Sequence, residues 1–466
     1  MDKSSVIGKI RVTGVLKLKS PLLIGDGAGE TADNFRDVHV LKNHDNKPFI
    51  PGTSICGVLL DWFKGNYARW TEKFFGDEKN LQSSIQIDDV VLENGKVVAR
   101  DGVRIDGATG IVDGNGKYDF EVVERDASGK FCLMMTLRGV HVDQKIFDAK
   151  NYSLNEITDV FSILLGKLRD GISIGALTSK GFGRVVVENL SANFYDFRDK
   201  SDVAAWIFRN DAEHKILPSS EKIPARRKDF VVDANFKFNS SFIIRDYDTG
   251  ELVKKFSEDD KTKPISAFTL KSCGDFVVPG TSLKGILRHR AEYICDRLRV
   301  DKNFLEDLMG NSLSDKNSTA DKKIKSRFIV EESYIAPKKF VEVEHTRTQL
   351  DRFTGGTLQG TLFTTKPAYQ KNFDAPTLKI HFEIRDAKDF EAGLAIFLLR
   401  DLWLGHVAIG GEKSVGRGTV SGLSAEIFFD GKTYKLDANG KVIDGDKTEA
   451  EKFAAALKNF AGGDGR

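Results

Sequence analysis

The tetrapeptide Pro-Gly-Thr-Ser stands at residues 51–54 and again at residues 279–282, and these two stretches decide the fold. In fuller form the first reads FIPGTSICG from residue 49, and the second reads VVPGTSLKGILR from residue 277. In each case an apolar pair leads into the tetrapeptide and apolar residues follow at helical spacing, which predicts a strand that turns into a helix. The Thr and Ser side chains are suited to capping the exposed N–H groups of that helix.

Three further pairs of landmarks recur in the same order. They are Phe-Gly or Met-Gly at 75–76 and 309–310, Asp-x-x-Thr-Gly at 106–110 and 351–355, and a glycine-rich stretch at 174–183 and 409–418. Their offsets of 234, 245 and 235 residues lie close to the 228 of the first pair, so the chain contains a duplicated domain. Since most landmarks are glycines, we expect tight turns and close approach of the backbone to be what recurs.

The composition is that of an ordinary globular chain of 466 residues, with 40% hydrophobic and 30% charged residues. The formal net charge of +2 neither requires nor excludes a nucleic-acid partner, because local patches matter more than the total. The four cysteines show no CxxC spacing, which argues against zinc and disulfides and favours a reducing cytoplasm. No apolar run reaches membrane-spanning length and the first residues are polar, so we expect neither a membrane partner nor a signal peptide.

Both halves predict the same order of elements: strand, helix, strand, hairpin, strand, helix, strand. The clearest examples are strands at 9–17, 85–92, 230–238 and 328–335 and helices at 154–168 and 390–404. This order is the split βαβ pattern, so the predicted fold class is α+β, with tandem ferredoxin-like (RRM-like) domains that carry hairpin insertions.

The same pattern divides the chain into four segments. We predict a first domain at 1–195, a charged linker with one helix at 196–227 and a second domain at 228–430. Residues 431–466 predict a hairpin and a polar helix, which form a C-terminal tail.

The combination of motifs resembles the RAMP superfamily of CRISPR-associated proteins. The Pro-Gly-Thr-Ser stretches at 49–57 and 277–288 and the glycine-rich stretches at 174–183 and 409–418 carry this resemblance, which covers most of the chain. Within the superfamily the chain looks like a fusion of two backbone subunits of a type III effector complex. The resemblance implies a guide RNA (crRNA), a target RNA and other RAMP and CRISPR effector subunits as partners.

The helix starts are also suited to RNA on physical grounds, because a helix N-terminus offers unpaired N–H groups and a positive dipole end to a phosphate. Lys284 and Arg288 follow at i, i+4 and are expected on the polar face of the second helix; the alternative is a plain cap with solvated bases. The predicted RNA-binding residues are Thr53, Ser54, Lys180, Thr281, Ser282, Lys284, Arg288, Arg347, Arg352, Phe353, Lys413 and Arg417.

The first copy departs from this pattern, because Cys56 and Leu60 stand where the second copy has Lys284 and Arg288. Its helix lacks these two cations. Either backbone N–H groups suffice for RNA there, or its RNA contacts lie elsewhere.

The hairpins after Gly110 and Gly355 resemble the thumbs that such subunits insert between segments of guide–target duplex. Phe353 or Leu358 would wedge between bases, with Arg347 and Arg352 on phosphates. Packing of Phe353 in the core is the alternative.

In the subunits that the chain resembles, an aspartate in the loop before the Pro-Gly-Thr-Ser stretch cuts the target RNA. Asp37 is the first candidate and Asp33 the second; an ordinary turn aspartate is the alternative. By resemblance the cofactor is Mg²⁺ or another divalent ion, held by a carboxylate near the scissile phosphate. Residues 263–268 in the second copy contain no acid, so that copy is expected to bind without cutting.

Three functions therefore stay open. The first is a guide-binding backbone subunit that cleaves target RNA, and the second is the same architecture as a scaffold without catalysis. The third and least favoured is a guide-processing RAMP endoribonuclease, which usually has one glycine-rich loop and an early catalytic histidine. His289 and His345 are lone histidines, for which a structural role is the commoner one.

Overall fold

The computed structural model describes residues 5–27, 38–77, 82–107, 109–141, 155–220, 228–246, 265–310, 324–371 and 376–462. The chain divides into two compact units. The first comprises Met1–Arg100, Asp119–Thr178 and Phe182–Pro224, and the second comprises Asp101–Tyr118, Ser179–Gly181 and Ala225–Arg466.

The elements of the first half are helices α1 (Gly52–Asn66), α2 (Ala68–Phe75), α3 (Asn155–Asp170) and α4 (Lys200–Ile207), with 3-10 turns at Gly139–His141 and Thr178–Lys180. Its strands are β1 (Val6–Leu18), β2 (Phe49–Ile50), β3 (Ile85–Ile87), β4 (Val90–Val91), β5 (Val97–Ile105), β6 (Val112–Val123), β7 (Ser128–Arg138), β8 (Ile172–Ser173), β9 (Arg184–Asp196) and β10 (His214–Ile216).

The helices of the second half are α5 (Gly280–Leu298), α6 (Asn303–Met309), α7 (Asp389–Trp403) and α8 (Lys447–Gly462), with 3-10 turns at Pro337–Lys339 and Lys413–Val415. Its strands are β11 (Phe230–Phe238), β12 (Ser241–Phe242), β13 (Arg245–Asp246), β14 (Ile265–Thr269), β15 (Lys271–Ser272), β16 (Asp275–Val278), β17 (Phe328–Val330), β18 (Ser333–Ile335), β19 (Phe340–Glu342), β20 (His345–Arg347), β21 (Phe363–Lys366), β22 (Ala368–Gln370), β23 (Leu378–Ile384), β24 (Val420–Phe429), β25 (Lys432–Leu436) and β26 (Val442–Asp444).

The main sheet of the first unit has the strand order β10-β9-β1-β7-β3, and β8 also pairs with β9. Strand β1 lies between β7 and β9 and is antiparallel to both. Alternate residues of β1, such as Ile10, Val12 and Leu16, are fully buried, because successive side chains of a strand point to opposite faces. Ile55 of α1 and Phe161 of α3 fill the same core.

The main sheet of the second unit has the order β17-β23-β11-β24-β25-β26. Its core includes Leu283, Leu287 and Ile294 of α5, which lie on one helix face as their spacing predicts. Burial of each such side chain contributes about 1.5–3 kcal/mol to folding.

The C-terminal residues also join the second unit. Strands β25 and β26 extend its sheet, and α8 packs against α7 so closely that a Cβ atom on Gly393 would lie 2.1 Å from the Phe453 carbonyl oxygen. The rings of Phe390 and Phe460 stack with centroids 4.1 Å apart.

The structure confirms a mixed α+β fold with several antiparallel sheets and two repeats. The helices predicted at 154–168 and 390–404 are found at Asn155–Asp170 and Asp389–Trp403. Within the segment 196–227, α4 follows β9, and β10 pairs with β9 and so extends the first sheet.

Candidate nucleic-acid interface

The two Pro-Gly-Thr-Ser stretches have the same backbone. Pro51 has φ −59° and ψ 135°, and Pro279 has φ −61° and ψ 138°. Each proline is the N-cap of its helix, and neither cap has a side-chain hydrogen bond among the described residues. The predicted Thr or Ser cap is therefore wrong, because proline holds the cap position and Thr and Ser lie inside the first turn.

The glycine after each proline lets another part of the backbone approach closely. A Cβ atom on Gly52 would lie 2.0 Å from the Ile87 carbonyl oxygen, and one on Gly280 would lie 2.1 Å from the Lys180 carbonyl oxygen. The Gly52 N–H also donates to Asp89 Oδ1 at 2.8 Å. Neither site has room for a side chain, which explains why glycine stands at both positions.

Lys284 is only 6% exposed, so the alternative in which this base is solvated is wrong. Its Nζ donates to Ser179 Oγ at 3.0 Å and to Ser326 Oγ at 2.7 Å. Burial, reinforced by the charges of Lys180 and Arg288, lowers the pKa of Lys284 to about 7. The side chain therefore exchanges its proton near physiological pH.

Arg288 and Lys180 complete a cluster of three basic side chains with Lys284. The Arg288 guanidinium donates to Glu292 Oε1 at 3.2 Å and to the Gly310 carbonyl at 2.7 Å, which ties α5 to the turn after α6. Burial and the nearby Arg288 lower the pKa of Lys180. The three predicted RNA-binding cations are thus brought together at the start of α5.

The two glycine-rich stretches also share one backbone. Gly175 and Gly410 have φ +83° and +88°, and a Cβ atom on either would lie 2.4 Å from a carbonyl oxygen, that of Leu23 or of Ile243. Leu177 and Glu412 are equivalent positions, each two residues after its glycine. Both adopt a left-handed conformation, with φ +58° and +56°, in which a side chain is costly.

The side chains at this shared backbone differ in kind. In the first unit Phe182 packs in an apolar cluster with Leu23, Phe120 and Val122. Its counterpart Arg417 is 5% exposed in the second unit. The same turn thus closes over apolar groups in one unit and over charged groups in the other.

In the glycine-rich turn of the second unit, the charged groups surround Glu412. It forms ion pairs with Arg417, at 2.7 Å, and with Arg347. Burial alone would raise the pKa of Glu412, but the two guanidinium groups outweigh it and lower this pKa below its ordinary value. Arg417 also donates to Ser241 Oγ at 2.8 Å. Burial, together with the charges of Arg417 and Arg347, lowers the pKa of His345 on β20. Sequence reasoning missed Glu412, because its partners come from β20 and from the far side of the turn.

Arg347 and Arg417, both predicted to contact RNA, are therefore engaged by Glu412. Lys413, on the same turn, is exposed. Thr53 is exposed, whereas Ser54, Thr281 and Ser282 are half-buried.

The two Asp-x-x-Thr-Gly motifs make the same turn at the tips of the hairpins. Thr109 Oγ1 donates to Asp106 at 2.7 Å and Thr354 Oγ1 donates to Asp351 at 2.8 Å. Gly110 and Gly355 both have φ +71°. These hydrogen bonds between short side chains stabilise the turn itself, as is typical of Asp and Thr in loops.

Phe353 at the second tip is 100% exposed, which rules out core packing for this side chain. Arg352 beside it is exposed, and Leu350 and Leu358 are 57% and 42% exposed. At the first tip Gly107 lies against α5, where its Cβ would be 3.2 Å from the His289 ring.

Asp33 and Asp37 lie outside the described residues. Two residues after Asp37, His39 Nδ1 lies 3.5 Å from Glu121 Oε2, a pair that sequence reasoning missed. Among the residues that the structure describes, no group of three or more acidic, histidine or cysteine side chains is arranged to hold a metal ion. The described residues alone therefore do not supply the divalent-ion site implied by the resemblance.

A search of the described helices finds none that is both long and apolar enough to span a bilayer.

With these features in place, comparison with known proteins defines the class. The RAMP superfamily model matches residues 15–186 and 249–421, one match in each half. The chain belongs to the RAMP superfamily.

The chain is also similar to one chain of the cryo-EM structure of the Type III-B Cmr-beta bound to cognate target RNA. The sequence identity is 15% and the TM-score is 0.30. The match covers 40% of the present chain and 61% of that chain, which is less than two thirds of its length. A comparison with curated proteins gave no significant match.

Proposed function

We propose that this chain is a guide-RNA-binding backbone subunit of a type III CRISPR effector complex, built as a fusion of two RAMP units. Membership of the superfamily and the two matched sets of landmarks support this function. The partners are guide RNA, target RNA and other RAMP and effector subunits.

Each repeat is a ferredoxin-like unit in this proposal. In chain order the four strands of the first repeat are β1, β3, β7 and β9, and in space they lie β9-β1-β7-β3. In the second repeat β11, β17, β23 and β24 lie β24-β11-β23-β17. Both orders are fourth, first, third, second, with helices after the first and third strands, which is the split βαβ arrangement.

The observation that carries the proposal is Phe353. Phe353 is 100% exposed at a hairpin tip, beside the exposed Arg352. Its ring is therefore not buried by the fold of its own chain. Bases stack on such rings and phosphates pair with such guanidinium groups. The second hairpin therefore acts as a thumb that inserts Phe353 between bases of the guide–target duplex.

The basic cluster at α5 supplies the second contribution. Burial and the mutual repulsion of Lys180, Lys284 and Arg288 lower the pKa of Lys284 to about 7. A phosphate near the start of α5 relieves the repulsion and meets the positive end of the helix dipole. A phosphate there also favours the protonated form of Lys284, which then attracts the phosphate without direct contact, because its Nζ is held by two serines.

Cleavage of the target RNA by the first half is part of the proposal, with Asp37 and then Asp33 as the catalytic candidates. A divalent ion would stabilise charge on the scissile phosphate. The described residues alone do not form a site for this ion. The same architecture without catalysis is the competing function, and substitution of Asp37 distinguishes the two.

The thumb is tested by replacing Phe353 with alanine in the full chain bound to guide RNA. Stacking on one aromatic side chain is worth about 1–3 kcal/mol, so target affinity should fall by that amount. A 2-aminopurine base placed in the target reports unstacking directly, and its fluorescence should fall in the variant.

Phe208→Ala is the matched control, since Phe208 is 74% exposed but lies in the first unit after α4. If Phe353→Ala and Phe208→Ala leave affinity and 2-aminopurine fluorescence equally unchanged, the thumb role is wrong.

A further inference from the structure

Arg100, on strand β5 of the first repeat, is a buried cation. The residue is 6% exposed, and neither Nη1 nor Nη2 of its guanidinium has a hydrogen-bond partner among the residues that the structure describes. Buried polar groups are normally hydrogen-bonded, and a buried charge without a partner is costly. Arg100 therefore needs an anionic acceptor that the described residues do not supply.

The pairing of the first hairpin places Arg100 beside the glycine-rich turn of the same repeat. Strands β5 and β6 pair, and the Glu124 N–H donates to the Lys96 carbonyl at 2.9 Å. Four residues further along the hairpin, Arg100 lies opposite Phe120, and side chains opposite each other share one face. The Phe120 ring packs on Phe182 of the turn, with ring centroids 6.0 Å apart. Arg100 therefore shares its face of the hairpin with a ring that packs on this turn.

The apolar cluster around Phe182 reaches the surface on this side. Val98 lies two residues from Arg100, on the same face of β5, and packs against the cluster, as does Leu177 of the turn. Both Val98 and Leu177 are half-buried, and Gly175, just before them in the turn, is exposed. Only side chains at the rim of the cluster therefore separate this face of the hairpin from solvent.

The position equivalent to Arg100 in the second repeat is His345. The offset of 245 that relates the two Asp-x-x-Thr-Gly motifs maps Arg100 onto His345 and Phe120 onto Thr365. Strand β20 pairs with β21, and His345 lies opposite Thr365, as this mapping requires. The two hairpins thus have the same register here, so the surroundings of the two residues can be compared position by position.

In the second repeat a carboxylate lies close to this position. His345 Nδ1 lies 3.3 Å from Arg417 Nη2, and Arg417 forms an ion pair with Glu412 at 2.7 Å. In the first repeat Phe182 and Leu177 stand at the positions of Arg417 and Glu412. The first repeat therefore keeps a cation at this point of the hairpin, while an apolar side chain replaces the acid of the turn.

We infer that Arg100 is a phosphate-binding residue of the first repeat and takes a backbone phosphate of the bound RNA. The source of the phosphate rests on the proposed function. A guanidinium can pair with two phosphate oxygens at once, as it does with a carboxylate. Arg100 also gives the first repeat a cation that α1 lacks, because Cys56 and Leu60 stand where α5 carries Lys284 and Arg288.

Arg100→Met in the full chain tests the assignment through two measurements. Replacing a buried charge that has no partner among the described residues should stabilise the RNA-free protein, so its Tm should rise by about 2 °C or more. The affinity for single-stranded guide RNA should fall, and the slope of log K against log salt should become shallower by about 0.7, the value for one phosphate contact. A structural role predicts the reverse, a lower Tm and an unchanged slope.

Leu177→Glu transfers the acid of the second repeat to the first. The new carboxylate should pair with Arg100 and occupy it, so this variant should also lose about 0.7 of the salt slope although its arginine is intact. Arg69→Met is the matched control, since it removes an exposed arginine of α2 in the same unit. It should leave the Tm and the slope unchanged.

Inorganic phosphate, compared with chloride at equal ionic strength, separates the site from the source of its ligand. Phosphate should raise the Tm of the wild type but not that of Arg100→Met, and this arm holds even if the wild type binds no RNA and the proposed function fails. Equal salt slopes for the wild type and Arg100→Met would overturn RNA as the source. Equal responses to phosphate as well, or an Arg100→Met chain that does not fold, would overturn the site itself.

Discussion

At the scale of single residues, Lys284 is a buried lysine whose surroundings lower its pKa to about 7. Its amine lies in the interior and donates hydrogen bonds to the hydroxyls of Ser179 and Ser326. Moving a charge out of water is unfavourable, and the neighbouring cations Lys180 and Arg288 add to the cost. The folded chain therefore releases this proton near pH 7, whereas an ordinary lysine keeps it to about pH 10.4.

The stability of the protein should depend on pH through this residue. Between about pH 7 and pH 10.4 the unfolded chain binds one more proton than the folded chain, so stability should rise with pH, by up to about 1.4 kcal/mol per pH unit. Lys284→Met should remove this rise, as measured by urea unfolding at pH 7, 8 and 9. Lys64→Met, at an exposed position of α1, should keep it; equal slopes in the two variants would contradict the account of Lys284.

Asp37 is the residue on which the enzymatic half of the proposed function depends. Asp37→Ala in the assembled complex should abolish at least one cleavage product in magnesium, while target binding stays within about tenfold, or 1.4 kcal/mol. Gel analysis of end-labelled target RNA measures the first effect and filter binding the second. Asp33→Ala is made in parallel, and an intact product ladder in both variants would show that the chain is a scaffold.

At the scale of elements, the glycines of the two turns show why these landmarks recur. A Cβ atom on Gly183 would lie 1.8 Å from the Ile174 carbonyl oxygen, and one on Gly418 would lie 2.0 Å from that of Ile409. Both glycines also have positive φ, +74° and +79°. Two independent constraints therefore exclude a side chain at the end of each glycine-rich turn.

Alanine at Gly418 should destabilise the second unit, because the turn must open to admit the methyl group and hold it at an unfavourable φ. Gly285→Ala in α5 is the matched control, since no described atom outside the neighbouring helix backbone lies within 4 Å of its Cβ position. The control should gain about 0.8–1.0 kcal/mol from helix propensity. Thermal unfolding measures both, and a Gly418→Ala chain as stable as the wild type would show that the turn is not fixed as described.

At the scale of the whole molecule, the residues that could be predicted from the sequence are those whose chemistry acts locally. The Asp-x-x-Thr-Gly turns, the glycine turns and the apolar face of α5 each follow from a few neighbouring residues. The outcome at Lys284 could not be predicted, because Ser179, which accepts its hydrogen bond, lies 105 residues away in the chain. The same holds for Glu412, whose partner Arg347 lies 65 residues away on β20.

The two repeats share their backbone motifs but differ in the side chains at equivalent positions. Phe182 and Arg417 occupy one backbone position, yet one lies in an apolar cluster and the other in a network of ion pairs. Cys56 and Lys284 differ in the same manner at the helix starts. These differences arise from side chains that the repeats do not share, so the sequence pattern predicts the common fold better than the chemistry of each site.

The nucleic acid that accompanies the chain tests the central claim most directly. The chain would be purified from its native host under mild conditions, and the bound nucleic acid and proteins would be identified by sequencing and mass spectrometry. The proposed function predicts RNA of defined length, protected from nuclease, together with other RAMP proteins. A preparation that carries no RNA, or RNA without defined length and no RAMP partner, would contradict it.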